Sequence, residues 1–562
     1  MPPRLRCIPL GGLGEIGRNM MVLEYEQDIV IIDVGVMFPE IEMLGVDLVI
    51  PDVSYLLDKV DRIRGVVITH GHEDHTGSLP YVLPQLNFPP VWATSLTAGL
   101  ISVKLKEHRL TEKVTLHRIT PGEEVRFGAF RAEFFRVCHS IPDGVGVALH
   151  TPAGLIVHTG DFKFDYTPVD RRQTDFAKLA ELGSQGVLCL FADSTHADRP
   201  GYTPSERVVG EALDSLIGAA RGRVIVTTFA SLISRIQQII DTAAKYERRV
   251  GVIGRSMVQN VTIAQELGYL SAPPGVLLKP EEVNQLNQLP PRQVVLVTTG
   301  SQGEPTSALT RMANRDHRQI EIVPGDTVVM SAGAIPGNEE LVSRTIDNLF
   351  RLGANVFWGQ ESRVHVSGHA SQEELKLMLS LVRPHYFVPV HGEYRHLILH
   401  ARLAQSLGIP SQQIFVIEDG EVLEMDAEGA EVTEHVSAGY VFVDGLGVGD
   451  VGQVVLRDRQ ALAQDGILIV TITVDRLTGA PIAGPDIVSR GFVYVRENEE
   501  LVEKARAQVQ LALQASAAGA KDGETRAVDW QYVKTKIRDV LSRFVYERTR
   551  RRPMILPLVM EV

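Results

Sequence analysis

Cysteine is scarce in this chain. Its 562 residues include three cysteines, Cys7, Cys138 and Cys189, far apart and without a CxxC pair. That spacing argues against a disulfide framework and leaves each as a buried apolar residue. Long apolar runs are missing too, and none approaches the roughly 20 residues that span a bilayer. The N-terminus, MPPRLRCIPLGGLGEIG, reaches glycines before a secretory apolar region can form, so a cytoplasmic protein without membrane attachment is expected. Positive charge is not in excess: 56 Lys and Arg stand against 69 Asp and Glu, a net charge of −13. This excludes a protein that coats nucleic acid through a uniformly basic face, though a local basic channel stays compatible with it. The glycine-containing stretch TTGSQGEP, residues 298–305, lacks a Walker lysine after its second glycine, which argues against nucleoside triphosphate binding. There is no long low-complexity segment and no internal repeat.

What is present is a chain too long for one hydrophobic core, so about three domains are expected. From Ile29 to Asp193 short strands end at polar residues: IVIIDVG, VVITH, RAEFFRVCH, GLIVHTGD and VLCLFADS. Such ends present side chains to a shared cleft. TPAGL, between VGVALH and LIVH, predicts an antiparallel hairpin. TPSE reads as a helix start, with Thr203 as N-cap, Pro204 at the first helical position and Glu206 closing a capping box. Beyond it, strand-like and helical runs alternate from about Arg207 to Val364, which predicts a parallel α/β unit. HYFVPVHGEYRH is a further strand ending in histidine. From about Asp450 a small α/β segment follows, with a hairpin at ILIVTITVDRLTGAPI, two amphipathic helices and a terminal strand, MILPLVMEV. The arginines of 543–552 form its basic end, equally consistent with a solvated helix end and with an RNA contact.

The chemistry is concentrated in THGHEDH, residues 69–75, directly after the apolar run RGVVI. A chain leaving a buried strand alternates its side chains and then bends into a helix, so His70, His72, Asp74 and His75 can converge on metal. Two metals need more ligands than one loop offers. His139, ending FFRVCH, and Asp161, ending IVHTGD, terminate strands and are the natural additions, since a carboxylate can bridge two cations.

This order of ligands resembles the metallo-β-lactamase superfamily, and Asp33 in IIDVG matches its early strand-end aspartate. The resemblance implies an αββα sandwich. It assigns His70, His72 and His139 to one metal and Asp74 and His75 to the other, with Asp161 bridging. Asp193 in FADST, His369 in HVSGHAS and His391 in PVHGEYRH resemble motifs A, B and C of the β-CASP nuclease branch, where an α/β unit is inserted into the metal domain. A histidine at motif C resembles the RNA-cleaving members and implies that His391 completes the second metal's shell. GGLGEIGRN, IIDVGVMFPE, LGVDLVIPD, TTFASLISRIQQ, GRSM, HVSGHASQEELK, GDVGQVVLRDR and IVSRGFVYV extend the likeness to the ribonuclease J family.

The fold class expected is therefore α/β: a metallo-β-lactamase domain (1–206 and 365–449), an inserted β-CASP domain (207–364), a linker (450–465) and a C-terminal α/β domain (466–562). The activity expected is metal-dependent hydrolysis of single-stranded RNA, 5′ to 3′ from 5′ monophosphate ends with some endonucleolytic cutting, in RNA maturation and decay. Two divalent ions per subunit are implied, zinc first, with manganese or magnesium as alternatives. They would clamp a phosphodiester and lower the pKa of a water toward roughly 7. His369, oriented by Asp193, would protonate the departing 3′ oxygen.

Ser371 and Glu374 form a second capping box, so the backbone before them is a favourable place for a phosphate. Ser231, His365, Val366, Ser367, Gly368 and His369 are the candidates to contact RNA phosphates. Asp47 and Asp444, with the carbonyl of Gly45, could hold a separate structural cation, although surface carboxylates are the commoner reading. His158, between apolar neighbours, reads as a satisfied core histidine. The family's habits imply a homodimer or homotetramer, with other RNA-decay proteins as partners. Two rival readings stand beside this one: a DNA nuclease, and an RNA-binding scaffold with a dead site.

Overall fold

The computed structural model describes residues 3–335, 337–359, 361–475, 481–493, 498–517 and 530–562. Contacts divide the chain into two units, one of residues 1–38 and 48–441, the other of residues 39–47 and 442–562.

The larger unit is built on two stacked sheets. One has eight strands in the order Ala430–His435, Glu421–Met425, Leu5–Gly11, Met20–Tyr25, Asp28–Ile32, Ile63–Val67, Val91–Thr94, Leu116–Ile119. The other has six, in the order Tyr386–Val390, Val187–Asp193, Gly154–His158, Val145–Thr151, Phe130–Arg136, Glu124–Phe127. Alternation along a strand divides its side chains between two cores. In the first strand Leu5 and Cys7 enter the core between the sheets, whereas Ile8 and Leu10 face an outer layer containing Leu79, Val82, Ile101 and Leu105. The six-stranded sheet is covered by helices Phe176–Gln185, Gln372–Val382 and Tyr394–Ser406. The layers are helix, sheet, sheet, helix, the αββα arrangement expected. The TPAGL hairpin is present, with Val147 to Thr151 pairing antiparallel to His158 to Gly154.

Between the two segments of this sandwich lies a five-stranded, wholly parallel sheet in the order Arg249–Ile253, Val294–Thr298, Val224–Thr227, Thr327–Met330, Asn355–Phe357. Parallel strands need crossover helices on both faces, and the two apolar clusters flanking this sheet include Ile236, Ile240 and Met257 on one side and Leu309, Met312 and Leu349 on the other.

The helix expected at Thr203 begins later. It runs Arg207–Ala219, with Glu206 at the N-cap position and no side-chain cap. Glu206 is drawn instead to the buried Arg235, whose Nε donates to it at 2.7 Å, and Thr203 Oγ1 donates to the carbonyl of His369 at 2.7 Å. A local capping pattern lost to two long-range partners, because a buried guanidinium needs a carboxylate.

In the smaller unit, Ile467–Val474 pairs antiparallel with Pro481–Arg490 and parallel with Met554–Glu561. Helices Glu499–Ala517 and Trp530–Thr549 supply Val502, Val509, Ile537 and Leu541 to its core. The turn of the predicted hairpin, residues 476–480, lies outside the described residues. Residues 453–465, read from the sequence within a linker, form a helix bounded by Gly452 and Gly466.

No helix among the described residues is long and apolar enough to cross a membrane.

Candidate active site

The site lies where parallel strands end. Val187–Asp193 runs parallel to Gly154–His158 on one side and to Tyr386–Val390 on the other, with Asp193 opposite Val390. Asp161, Asp193 and His391 therefore leave the same edge of one sheet. In the other sheet Asp28–Ile32 runs parallel to Ile63–Val67, so Asp33 and Thr69 to His75 leave together. Ligands gather at the carboxyl ends of parallel strands for this reason. THGHEDH passes from that strand end into a short helix, Glu73–Thr76, after His72. The approach of the Asp33 loop is close enough to require glycine: a Cβ on Gly35 would lie 1.5 Å from the carbonyl oxygen of Asp74.

The structure brings all seven sequence-predicted metal ligands together. One group comprises His70, His72, His139 and Asp161, a second Asp74, His75, Asp161 and His391, with the candidate ligand atoms in each within 4.8 Å of one another. Asp161 is common to both. Its Oδ2 stands 3.6 Å from His70 Nε2, 3.7 Å from His139 Nε2, 3.3 Å from His75 Nε2 and 3.6 Å from His391 Nε2. A third group within the same span joins Asp161, Asp193, His369 and His391. There His369 Nδ1 and Asp193 Oδ2 are already committed to each other at 2.7 Å.

The outer hydrogen bonds decide which ring nitrogen each histidine offers. A carbonyl can only accept, so His139 donates Nδ1–H to Gly368 O at 2.9 Å and keeps a lone pair on Nε2. Thr69 Oγ1 donates to Asp33 Oδ2 at 2.8 Å, so its contact of 3.1 Å with His70 is Nδ1–H donating to oxygen. His75 Nδ1 donates to Asp33 Oδ2 at 2.7 Å. Thr195 Oγ1 donates to Asp193 Oδ1 at 2.7 Å and receives Nδ1–H of His391 at 2.6 Å. The lone pairs of His70 Nε2 and His139 Nε2 then meet His72 Nδ1 at 3.0 and 3.1 Å, and one N–H there could satisfy only one of them. His391 Nε2 faces Asp74 Oδ2 at 3.3 Å, a ring nitrogen against a carboxylate. Nitrogen and carboxylate atoms thus converge at two points that fit two cations, with partners that orient each ring behind them.

The electrostatics agree. Burial, reinforced by His75, pushes His70 well below the usual histidine range, and burial with His72 does the same to His139. Burial brings His72 down to about 4. Burial also opposes charge on His75 and His391, but Asp161 and its neighbouring carboxylates overcome it and hold both well above the ordinary value. Neutral imidazoles face one group and strong negative charge faces the other. For Asp193 burial favours the neutral acid, yet the charge and hydrogen bond of His369 hold it far below the usual carboxylate range. His369 is raised in return: burial opposes the shift, and Asp193 outweighs it.

The candidate RNA-phosphate residues divide. Ser367, Gly368 and His369 lie just before helix Gln372–Val382, whose capping box at Ser371 and Glu374 is present as expected. Ser367 Oγ already accepts from His369 N at 3.2 Å. His365 Nδ1 contacts Arg235 Nη1 at 3.1 Å, and burial followed by the Arg235 charge lowers it to about 3, so it is neutral. Val366 is 7% exposed and packs in the core, which leaves only its backbone to offer. Ser231 precedes helix Ile233–Lys245, whose N-cap position is Leu232, with no side-chain cap.

The three residues considered for a structural cation are otherwise engaged. Asp444 pairs with Arg459, Asp47 Oδ2 accepts from Gly445 N at 2.8 Å, and a Cβ on Gly45 would lie 2.7 Å from Arg459 Nη1. A guanidinium stands where that cation would.

His158 accepts from Gly160 N at 3.1 Å through Nδ1 and stacks on Phe191, as a core histidine should. Sequence reasoning missed Thr69, Thr195 and Asn19. Asn19 Nδ2 donates to Asp74 O at 3.0 Å and lies 3.3 Å from His75 Nε2. Its one signal was its place at the end of GGLGEIGRN. Glu374 was read only as a cap, yet its buried carboxylate also accepts from Thr203 N at 2.7 Å and Phe164 N at 2.8 Å.

Comparison with known proteins covers the whole chain. Residues 28–226 match the family model of the beta-lactamase superfamily domain, 221–349 that of the ribonuclease J beta-CASP domain, 361–414 that of the Zn-dependent metallo-hydrolase RNA specificity domain and 454–562 that of the ribonuclease J C-terminal domain. Ribonuclease J2 of Bacillus subtilis (strain 168) is 45% identical over 558 residues, covering 99% of each chain. Ribonuclease J 1 of Streptococcus pyogenes serotype M3 is 44% identical over 559 residues, 100% of this chain and 98% of that one. A solved protein of unknown function from Enterococcus faecalis V583 shares the fold with TM-score 0.53 at 14% identity, over 75% of this chain and 100% of its own.

Proposed function

The chain belongs to the ribonuclease J family and is a metal-dependent ribonuclease, and we propose that it trims single-stranded RNA from a 5′ monophosphate end, 5′ to 3′, and also cuts internally. The observation that carries this reading is the position of the His369–Asp193 pair beside a carboxylate, Asp161, shared by two ligand groups. His70, His72 and His139 would hold one ion and Asp74, His75 and His391 the other, with Asp161 common to both groups. Bound divalent cations supply Lewis-acid polarisation of the phosphodiester and a water of lowered pKa.

The chain's own residues do the rest. Asp193 keeps His369 protonated and fixes its Nδ1, which leaves Nε2–H as the acid for the departing 3′ oxygen. The His369 side chain is 19% exposed against 1% for Asp193, so the proton stands toward the substrate. Ser367, Gly368 and His369, ahead of a helix N-terminus, receive the terminal phosphate, with Ser231 and His365 beside them and Val366 contributing backbone. The RNA lies between the metallo-β-lactamase segments 1–206 and 365–449 and the β-CASP segment 207–364. Zinc is the first choice of ion, two per chain, with manganese or magnesium as alternatives. A homodimer or homotetramer acting in the cytoplasm, in RNA maturation and decay alongside other decay proteins, completes the reading.

The test is a comparison of end-labelled RNAs carrying 5′ monophosphate or 5′ triphosphate, with a matched DNA strand. Fast release of mononucleotides from the monophosphate RNA alone supports the reading. Equal rates on both RNA ends remove the phosphate pocket, and preference for DNA overturns the substrate.

A further inference from the structure

Outside the ligand groups, Arg18 is 2% exposed and in a left-handed backbone conformation at φ 56°. Its Nε donates to Glu15 Oε1 at 2.8 Å and its Nη2 to Asp419 Oδ2 at 2.9 Å. Its Nη1 is shared among the carbonyls of Leu10 at 3.0 Å, Ala438 at 3.1 Å and Gly439 at 2.9 Å, and the guanidinium carbon stands 4.8 Å from the centre of the Tyr440 ring. Asp419 also accepts from Leu13 N at 3.1 Å. One guanidinium thus ties both ends of the loop at residues 11–19 to the body of the sandwich.

That loop touches both segments that supply the second ligand group. At one end Asn19 N and Nδ2 donate to Asp74 O at 3.1 and 3.0 Å, and Gly35 N donates to Asn19 O at 2.9 Å. At the other, His391 N donates to Gly12 O at 3.1 Å, and Leu13 and Gly14 pair in parallel with Gly392 and Glu393. His391 sits at φ 54°, a conformation a non-glycine residue keeps only when its surroundings impose it. Asp74 and His75 are separated from His391 by more than 300 residues of chain, and this loop is a physical bridge between them. None of these hydrogen bonds reaches His70, His72 or His139.

We propose that Arg18 is a positioning residue for the second cation: it clamps the 11–19 loop so that Asp74, His75 and His391 stand at ligand distance, without itself touching ion or RNA. The inference rests on the ligand assignment above. Loss of the fork should weaken the second site about 10- to 100-fold, the usual effect of removing an outer-shell support, and spare the first.

The experiment is calorimetric titration of zinc into chelator-stripped full-length protein. Wild type should take two zinc ions, and a His72→Ala chain should keep one. If those controls fail, the ligand assignment is wrong. Arg18→Lys, which keeps the charge but not the fork, should bind one zinc tightly and one 10- to 100-fold more weakly. The Arg18→Lys, His72→Ala double variant should bind none tightly. The kcat of the single variant Arg18→Lys should fall with KM for RNA unchanged, because the clamp does not reach the phosphate residues. Should Arg18→Lys fail to fold, Asn19→Ala and Asp419→Asn carry the same expectation. Two unweakened zinc sites in folded Arg18→Lys, or equal weakening of both, would overturn the proposal.

Discussion

The ring of His139 and the peptide carbonyl of Gly368, 229 residues apart, are joined by a 2.9 Å hydrogen bond that Nδ1 donates. Through it the segment proposed to receive the RNA end also fixes the tautomer of a ligand in the first metal group. On that proposal, phosphate binding and ion holding share one piece of backbone.

Gly368→Ala tests that sharing. An added Cβ would lie 2.6 Å from His139 Cε1 and 2.8 Å from Ser140 Cβ, so the imidazole must move. Zinc affinity at the first group should drop about 10- to 100-fold while the second group is spared, the reverse of the Arg18 pattern, as a zinc titration would show.

The Asp193 pair sets a pH dependence. His369 has its pKa raised, against burial, by Asp193, so the protonated acid persists above the ordinary histidine value and is lost as pH rises through the folded one. Asp193→Asn removes that charge. The alkaline limb of the kcat profile should move to lower pH by about 1 unit or more, from the size of a single opposite-charge effect. The depressed Asp193 carboxyl contributes stability above its unfolded pKa, lost as pH falls toward the folded one. An unmoved alkaline limb in Asp193→Asn would remove His369 as the acid.

Glu374→Gln probes the support beneath motif B. The carboxylate is fully buried and accepts from the backbone N–H groups of Ser371, Thr203 and Phe164. An amide would turn a donor toward these donors, costing about 2–4 kcal/mol from unsatisfied buried groups, read as a lowered melting temperature.

How much of this was legible in the sequence follows from how far each contact reaches. THGHEDH was readable because its four ligands are contiguous and strand geometry alone converges them. The parallel insert was readable from its alternation of strand-like and helical runs, and the αββα sandwich only through the resemblance that the order of ligands carries. Thr203 was misread because TPSE satisfies a local capping rule, whereas Arg235 and His369, which claim Glu206 and Thr203, are 29 and 166 residues away. Thr195 and the Gly368 carbonyl carry no local signal, and Asn19 none beyond its place in GGLGEIGRN, since their partners appear only when the chain closes on itself. The helix at Gln453–Asp465 fell within the expected linker, and it presents no buried stripe: Leu456 is its one buried residue, while Val454, Val455 and Leu462 are exposed.

Ser367→Ala tests whether end recognition is separate from chemistry. The Ser367 Oγ accepts from His369 N at 3.2 Å and lies 3.4 Å from His196 Nε2. Ser367→Ala should bring the rate ratio of 5′ monophosphate over 5′ triphosphate RNA toward one, while zinc content stays at two, measured by initial rates on the two RNAs and by metal analysis.

Two ions held by ligands from both sheets are proposed to cut RNA. The most direct measurement adds zinc stepwise to chelator-stripped protein and follows hydrolysis of end-labelled 5′ monophosphate RNA, with His72→Ala in parallel. No hydrolysis is expected without ion, with activity saturating at two equivalents per chain and none from His72→Ala at that level. Hydrolysis by the stripped protein, or undiminished hydrolysis by His72→Ala, would contradict the two-ion proposal.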